Sequence, residues 1–152
     1  MNIALHHVKI TAVHWQQAEA DLRTIRTQVF IYEQGVPIDL EWDGLDETAQ
    51  HLLAVNDANE PVACARLLNN GSIGRMAVLK AWRGQGVGFA LLKMAINMHT
   101  QQGVQTMMLP AQIHAIAFYE KAGFVVCSAQ YLDANILHVD MQLLTAKHKP
   151  PI

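Results

Sequence analysis

The chain has 152 residues, 51% of them hydrophobic, and a formal net charge of −2 from 11 basic and 13 acidic side chains. That length and apolar content fit one domain, 1–152, with a sizeable core, and the near balance of charge excludes the basic footprint of a nucleic-acid binder. No apolar run approaches a membrane span, and residues 1–13 lack the charged start and apolar centre of a signal peptide, so a cytoplasmic protein without membrane association is expected.

Residues 7–13 alternate as a strand, with Val8, Ile10 and Ala12 on one side. From 17 to about 32, Ala18, Leu22, Ile25, Val29 and Phe30 recur at three- or four-residue spacing. That spacing predicts a helix with Glu19, Asp21, Arg23 and Arg26 elsewhere on its wheel, and Gly35 and Pro37 stop it. Residues 35–48 are acidic and irregular, carrying Asp39, Glu41, Asp43, Asp46 and Glu47 around Trp42. They read as a solvated loop, with the flank of a cationic substrate as the alternative. Two strands, 50–55 and 61–68, are joined by 56–60, and Asn69-Asn70-Gly71 turns the second into a strand ending at Leu79, giving an antiparallel meander. Cys64 and Cys127 are too few and too far apart for a disulfide framework or a C-x-x-C site, and in apolar runs both read as buried free thiols.

The period of the apolar pattern then changes across a glycine-rich turn. Ile73 and the run 76–79 read as a buried strand, whereas Val87, Leu91, Met94 and Met98 recur at helical spacing. Gly84, Gly86 and Gly88 remove the side chains that would hold a ligand off the backbone, and the helix opening there aims free N–H groups at the same spot, with Arg83 at the rim. This is an anion site suited to a phosphate or pyrophosphate. It is not a P-loop, because Phe89-Ala90 follow where Lys-Ser/Thr is required, and the dinucleotide fingerprint fails on glycine spacing and on the missing acidic residue near 106–109.

The helix runs to about 102 with Gly103 as its cap, and a strand at 104–109 makes this a crossover of the length a parallel connection needs. A short helix at 115–122 ends at Gly123, strands follow at 124–129 and 136–143, and the tail 147–152 reads as frayed. The order β-α-β-β-β-α-β-α-β-β predicts an α+β fold: a central mixed, mostly antiparallel sheet, parallel in the middle, with helices on both faces.

Arg83-x-x-Gly86-x-Gly88, after a strand and opening a helix, resembles the acetyl-CoA pyrophosphate loop of the GNAT N-acetyltransferases. Ala117-Phe118-Tyr119-Glu120-Lys121-Ala122-Gly123-Phe124 resembles the family's second signature, in the right order and separation. Glu33-Gln34-Gly35-Val36-Pro37, Asp43-Gly44-Leu45-Asp46, Ala111-Gln112 and Leu137-His138-Val139-Asp140-Met141 look like a subgroup of small bacterial GNAT proteins, many without an assigned substrate. The resemblance covers nearly the whole chain.

What it implies is an acetyl-CoA-dependent N-acetyltransferase acting on the primary amine of a small molecule, with acetyl-CoA as cosubstrate and no metal. The strand carrying Met76, Ala77 and Val78 would splay from the strand at 104–109 and pair with pantetheine through its backbone, a backbone N–H near Val78 facing the developing oxyanion. The pyrophosphate would lie on Arg83, Gly84, Gln85, Gly86, Val87 and Gly88. The family often has an asparagine contacting the cofactor near the position of Gln112, from which Gln112 departs, and Phe118 and Tyr119 would lie against the cofactor. Tyr119 is the expected general acid for the leaving thiolate, packing on the cofactor being its bland alternative. His138 is the expected base; His51, the acidic loop and a water chain are the other candidates. Arg75 would pair with an anionic substrate or with the acidic loop. Two readings of other classes stand beside this one: a non-catalytic acyl-CoA sensor of the same fold, and an interaction protein whose Trp42 loop and sheet edge pair with a partner or a second copy, as in a homodimer. His6-His7 and the scattered histidines show no ligand spacing for a metal.

Overall fold

Alternating small and branched apolar residues build the main sheet of the computed structural model, which describes residues 2–5 and 7–145. Strands β1 (Asn2–Leu5), β2 (Val8–Val13), β3 (Gln50–Asn56), β4 (Pro61–Leu67) and β5 (Ile73–Val78) pair antiparallel in that order. The period of two sends successive residues of β4 to opposite faces. Ala63, Ala65 and Leu67 pack with the helix that follows β5, while Cys64 joins the helix that follows β2.

The helices occupy the two faces. Trp15, Ala18, Leu22 and Ile25 of α1 (Trp15–Arg26) close over Leu53, Cys64 and Ala77. Beyond the segment Ile38–Glu41, a single helical turn numbered α2, comes α3 (Val87–Gln101), which buries Leu91, Leu92, Met94 and Ala95 against Ile10, Leu52 and Ala63 on the other face. A second sheet is formed by β6 (Thr106–Gln112), β7 (Val125–Val126), β8 (Tyr131–Asp133) and β9 (Ile136–Leu144), with β9 pairing the other three; α4 (Ile116–Glu120) lies between β6 and β7.

Among the described residues the two sheets meet through one parallel bridge, Ser72 with Met108, where the Met108 N–H donates to the Gly71 carbonyl at 3.3 Å. The parallel middle expected from the crossover is one bridge that opens into a fork, the splay that the resemblance implies. Past Ser72, no strand pairs with β5 on its β6 side.

Several boundaries differ from expectation. The first strand begins at Val8, and a hairpin partner, β1, precedes it through His7 at φ 68°. α1 starts at Trp15, ahead of Gln17, and after Arg26 the backbone widens into a π-helical stretch, Thr27–Glu33. The strand expected at 104–109 runs Thr106–Gln112, carrying Gln112 to the fork. The strand expected at 124–129 shrinks to Val125–Val126, and Cys127 is exposed rather than buried, because the chain leaves the sheet there with both valines facing water. β8 is unexpected: its hairpin turns on Ala134 and Asn135, at φ 51° and 63°, the doubly positive pair of a type I′ turn made without glycine. The tail at 147–152 lies outside the described residues.

Candidate active site

The fork opens a cleft of about 1180 Å³, walled by β5, the glycine turn, the end of β6, α4 and the β8–β9 hairpin. At its β5 end the glycine turn requires its glycines. Gly84 and Gly86 sit at φ 75° and 85°, in the left-handed region that side chains resist, and Gly86 caps α3. The Ala90 N–H is bonded to the Gly86 carbonyl, so the N–H groups of Val87, Gly88 and Phe89 precede the helix's own ladder and form an anion site. Val87's side chain is core, 2% exposed, so only its backbone serves the turn, and Gln85 does not line the cleft. The Arg83 guanidinium grips Glu33 through both carboxylate oxygens at 3.0 Å and donates from Nε to the Val78 carbonyl at 2.9 Å. It ties the π-helical stretch to the end of β5.

An acyl-CoA fits these residues. Met76, Ala77 and Val78 line the cleft on the edge of β5 that no strand covers, and unpaired backbone groups there need an extended partner. The turn beyond offers open amides to a pyrophosphate, and a Cβ at Gly88 would only make ordinary contact with Phe118 and Val78 at 3.5 Å, so the strained positions of the turn are Gly84 and Gly86.

The acidic segment is not a solvated loop. Arg26, placed by its spacing on the outer wheel of α1, is 1% exposed and binds Glu41 at 2.8 Å and Asp46 at 2.6 Å. Arg66 of β4 binds Asp43 at 2.8 Å and Asp46 at 3.1 Å. Arg75 closes the cluster on Glu41 and Asp43 at 2.9 and 3.2 Å, which decides its pairing in favour of the acidic loop. Burial alone would raise the Asp43 carboxyl, but the Arg66 hydrogen bonds outweigh it and hold the group at about 2. Arg75 itself sits at φ 46°, at a bulge where β5 spends one residue more than β4 between Ala77 and Gly74. Trp42, considered above as a partner surface, has the guanidiniums of Arg23 and Arg26 over its ring at 4.5 and 4.9 Å.

Tyr119 lines the cleft beside Phe118 and Phe124, its ring centroid 5.1 and 6.2 Å from theirs. Burial pushes its phenol up to about 12, so it keeps its proton across the physiological range. His138 also lines the cleft; its Nδ1 lies 2.7 Å from the Ile136 carbonyl, which only accepts, so the neutral ring carries its proton there and leaves Nε2 with a free lone pair. Gln112, opposite His138 in the β6–β9 register, exchanges two hydrogen bonds with Gln34 at 2.9 and 3.2 Å. His51, by contrast, is 1% exposed, lies outside the cleft lining, donates from Nε2 to the Asp46 carbonyl at 2.9 Å and packs on Trp15. It is a core residue, and burial lowers its pKa.

Sequence reasoning missed Tyr131 and Asp140. The Tyr131 ring stacks on His138 at 5.9 Å and 20°, and its hydroxyl donates to Asp140 at 2.6 Å. Tyr131 and His138 sit opposite each other in the β8–β9 register, which only an assigned hairpin could have revealed. Cys64 is buried, its thiol pushed up to about 12 by burial, and is no nucleophile. Among the described residues no group of His, Cys, Asp or Glu could hold a metal, and no helix is long and apolar enough to cross a membrane.

The family model described as an acetyltransferase (GNAT) domain matches residues 15–145. The chain is 36% identical over 121 residues to the uncharacterized N-acetyltransferase YjcF of Bacillus subtilis, a match covering 77% of this chain and 86% of YjcF. Among solved structures it is similar to an acyl-CoA N-acyltransferase from Pseudomonas aeruginosa, with TM-score 0.80 and 33% identity, covering 89% of this chain and 98% of that one. It is also similar to Escherichia coli ElaA, with TM-score 0.80 and 28% identity, covering 89% and 98%.

Proposed function

The chain belongs to the GNAT acetyltransferases, acetyl-CoA-dependent acyltransferases, and from that premise we propose that it acetylates the primary amine of a small molecule by direct transfer, with Tyr119 as general acid and His138 as base. The observation that carries this reading is the convergence, on one cleft, of the glycine turn, a desolvated phenol and an imidazole with a free Nε2. Acetyl-CoA supplies the activated acyl thioester. The α3 amides and the uncovered edge of β5 hold it, Met76, Ala77 and Val78 through the backbone and Arg83, Gly84, Gly86 and Gly88 at the turn.

An amine near pKa ~10 arrives as ammonium and must lose a proton before it attacks. His138 Nε2 is the group to take it, directly or through one water, because Nδ1 is committed to the Ile136 carbonyl. The Tyr131 ring, itself pinned by Asp140, holds the imidazole plane against rotation. Tyr119 gives its proton to the departing sulfur in this reading. With its pKa raised to about 12 it is never lost to solvent at neutral pH, and its hydroxyl has no hydrogen-bond partner among the described residues to compete for the proton.

The test is direct: incubate the protein with acetyl-CoA and a library of amines and follow free thiol. Amine-dependent thiol release supports the reading. Acetyl-CoA binding by calorimetry without thiol release from any amine would instead favour the sensor module.

A further inference from the structure

We propose that the acceptor is a monoamine on an apolar body, an alkyl or arylalkyl amine, rather than a polyamine, an amino sugar or a charged peptide; this rests on the acetyl-transfer reading above. The glycine turn lies beyond Val78, the last residue of β5, whereas the loop carrying Leu40 and Leu45 is fixed to that strand further back, at Arg75, which donates to the Leu40 and Glu41 carbonyls at 3.2 and 3.1 Å. The cleft therefore has an acyl-donor end and a second end. Leu40 and Leu45 are carried by the loop at that second end, and Val36 and, from the hairpin, Ile136 also line the cleft.

Leu40 and Leu45 remain 51% and 45% exposed even though the loop is locked down by Arg26, Arg66 and Arg75. A single exposed leucine needs no explanation. Two of them held by ion pairs in the wall of one cleft, with Val36 and Ile136 in the same lining, are apolar surface that a ligand can cover.

Most carboxylates of the cleft lining are paired with arginines. Glu41 is bound by Arg26 and Arg75, and Asp43 by Arg66 and Arg75, while Glu33 is held by Arg83. Asp133, on the same hairpin as Ile136, is the one carboxylate of the cleft lining without an ion-pair partner among the described residues. One free carboxylate attracts one ammonium. A second positive charge on the acceptor would be desolvated against leucine with no counter-charge, which is unfavourable.

The experiment measures kcat/KM by thiol release for n-alkylamines from ethylamine to hexylamine, for phenethylamine, and for diaminobutane and spermidine. We expect a rise of up to about fourfold per methylene, the equivalent of ~0.8 kcal/mol each, with the diamine and the polyamine poor. The double variant Leu40→Asn, Leu45→Asn changes exposed positions, so it folds, and it should flatten the slope. Asp133→Asn should raise KM for every monoamine by a similar factor while moving kcat less. A flat series in the starting protein, a slope unchanged in the leucine variant, or spermidine as the best acceptor each overturns the inference while leaving N-acetyl transfer intact. Absence of thiol release with every amine, from a protein that calorimetry shows to bind acetyl-CoA, overturns the transfer reading and this inference with it.

Discussion

Tyr119 and Gly86 carry the two sharpest claims that single side chains can test. Tyr119→Phe keeps the ring against Phe118 and Phe124 and removes the only proton that it can donate. Turnover should fall by roughly 10²–10⁴-fold with acetyl-CoA affinity nearly level, as for a lost general acid. A fall below about tenfold would mean that water replaces the phenol, since a thiol of pKa ~8.5 is already a fair leaving group. If the residue only packs, Phe is tolerated and Tyr119→Ala weakens binding, so turnover and affinity in both variants separate the roles. At Gly86 the backbone is at φ 85°, and the nearest atom to an added Cβ is Leu5 Cδ2 at 3.8 Å. Gly86→Val thus strains the turn and puts a side chain over the amides meant for the pyrophosphate. Calorimetry should find acetyl-CoA binding lost, and an unchanged affinity would sink the assignment of this turn.

At the scale of elements, the segment from α2 to Asp46 owes its position to charge rather than to apolar burial. Its own residues include Ile38, Leu40 and Leu45, 64%, 51% and 45% exposed, so the arginines of α1, β4 and β5 hold it. Asp46→Ala leaves Arg26 and Arg66 buried and under-compensated, and urea unfolding should record a loss of roughly 3–5 kcal/mol. Asp43 gives a pH signature. Its carboxyl is held at about 2 in the fold against 3.8 ordinarily, so the stability that it contributes is whole above about pH 4 and is lost as pH falls toward 2. The Tm deficit of Asp43→Asn should accordingly be full at pH 7 and shrink over that acid window. A deficit independent of pH would mean that shape, not the charge facing Arg66 and Arg75, is what Asp43 provides.

For the molecule as a whole, the formal charge is −2 and Arg66, Arg75 and Arg83 of the cleft are each paired with a carboxylate, so a nucleic acid is not the expected partner. Mixing with DNA or RNA at low salt should give no tight, salt-sensitive binding, and a log–log salt slope of several units would overturn that expectation. Acetyl-CoA should stabilise the fold by mass action. At a hundred times Kd the gain is ~2.7 kcal/mol, or about 5–10 °C in Tm for a chain of this size, and Gly86→Val should abolish the shift.

By itself, the sequence determined the parts of this protein that local periodicity and backbone chemistry specify. The meander, the strand-turn-helix around Gly84, Gly86 and Gly88, the length of α3 and the short helix before Gly123 were legible because each signal lies within a few adjacent residues. So was the approximate set of residues facing the cleft, since two motifs of fixed spacing resemble one family. Tertiary structure alone decided which charged residues are buried. Arg26 reads as outer wheel on α1, yet Glu41 and Asp46, 15 and 20 residues away, neutralise it in the interior. The fork of β5 and β6 after one bridge was expected only from the family resemblance, because it lies between segments far apart in the chain and no local pattern records it. The Tyr131–His138 stack and the separation of His51 from the cleft follow from register and from the face of a strand. A pairing shifted by one residue would reverse both, and no local pattern records that choice.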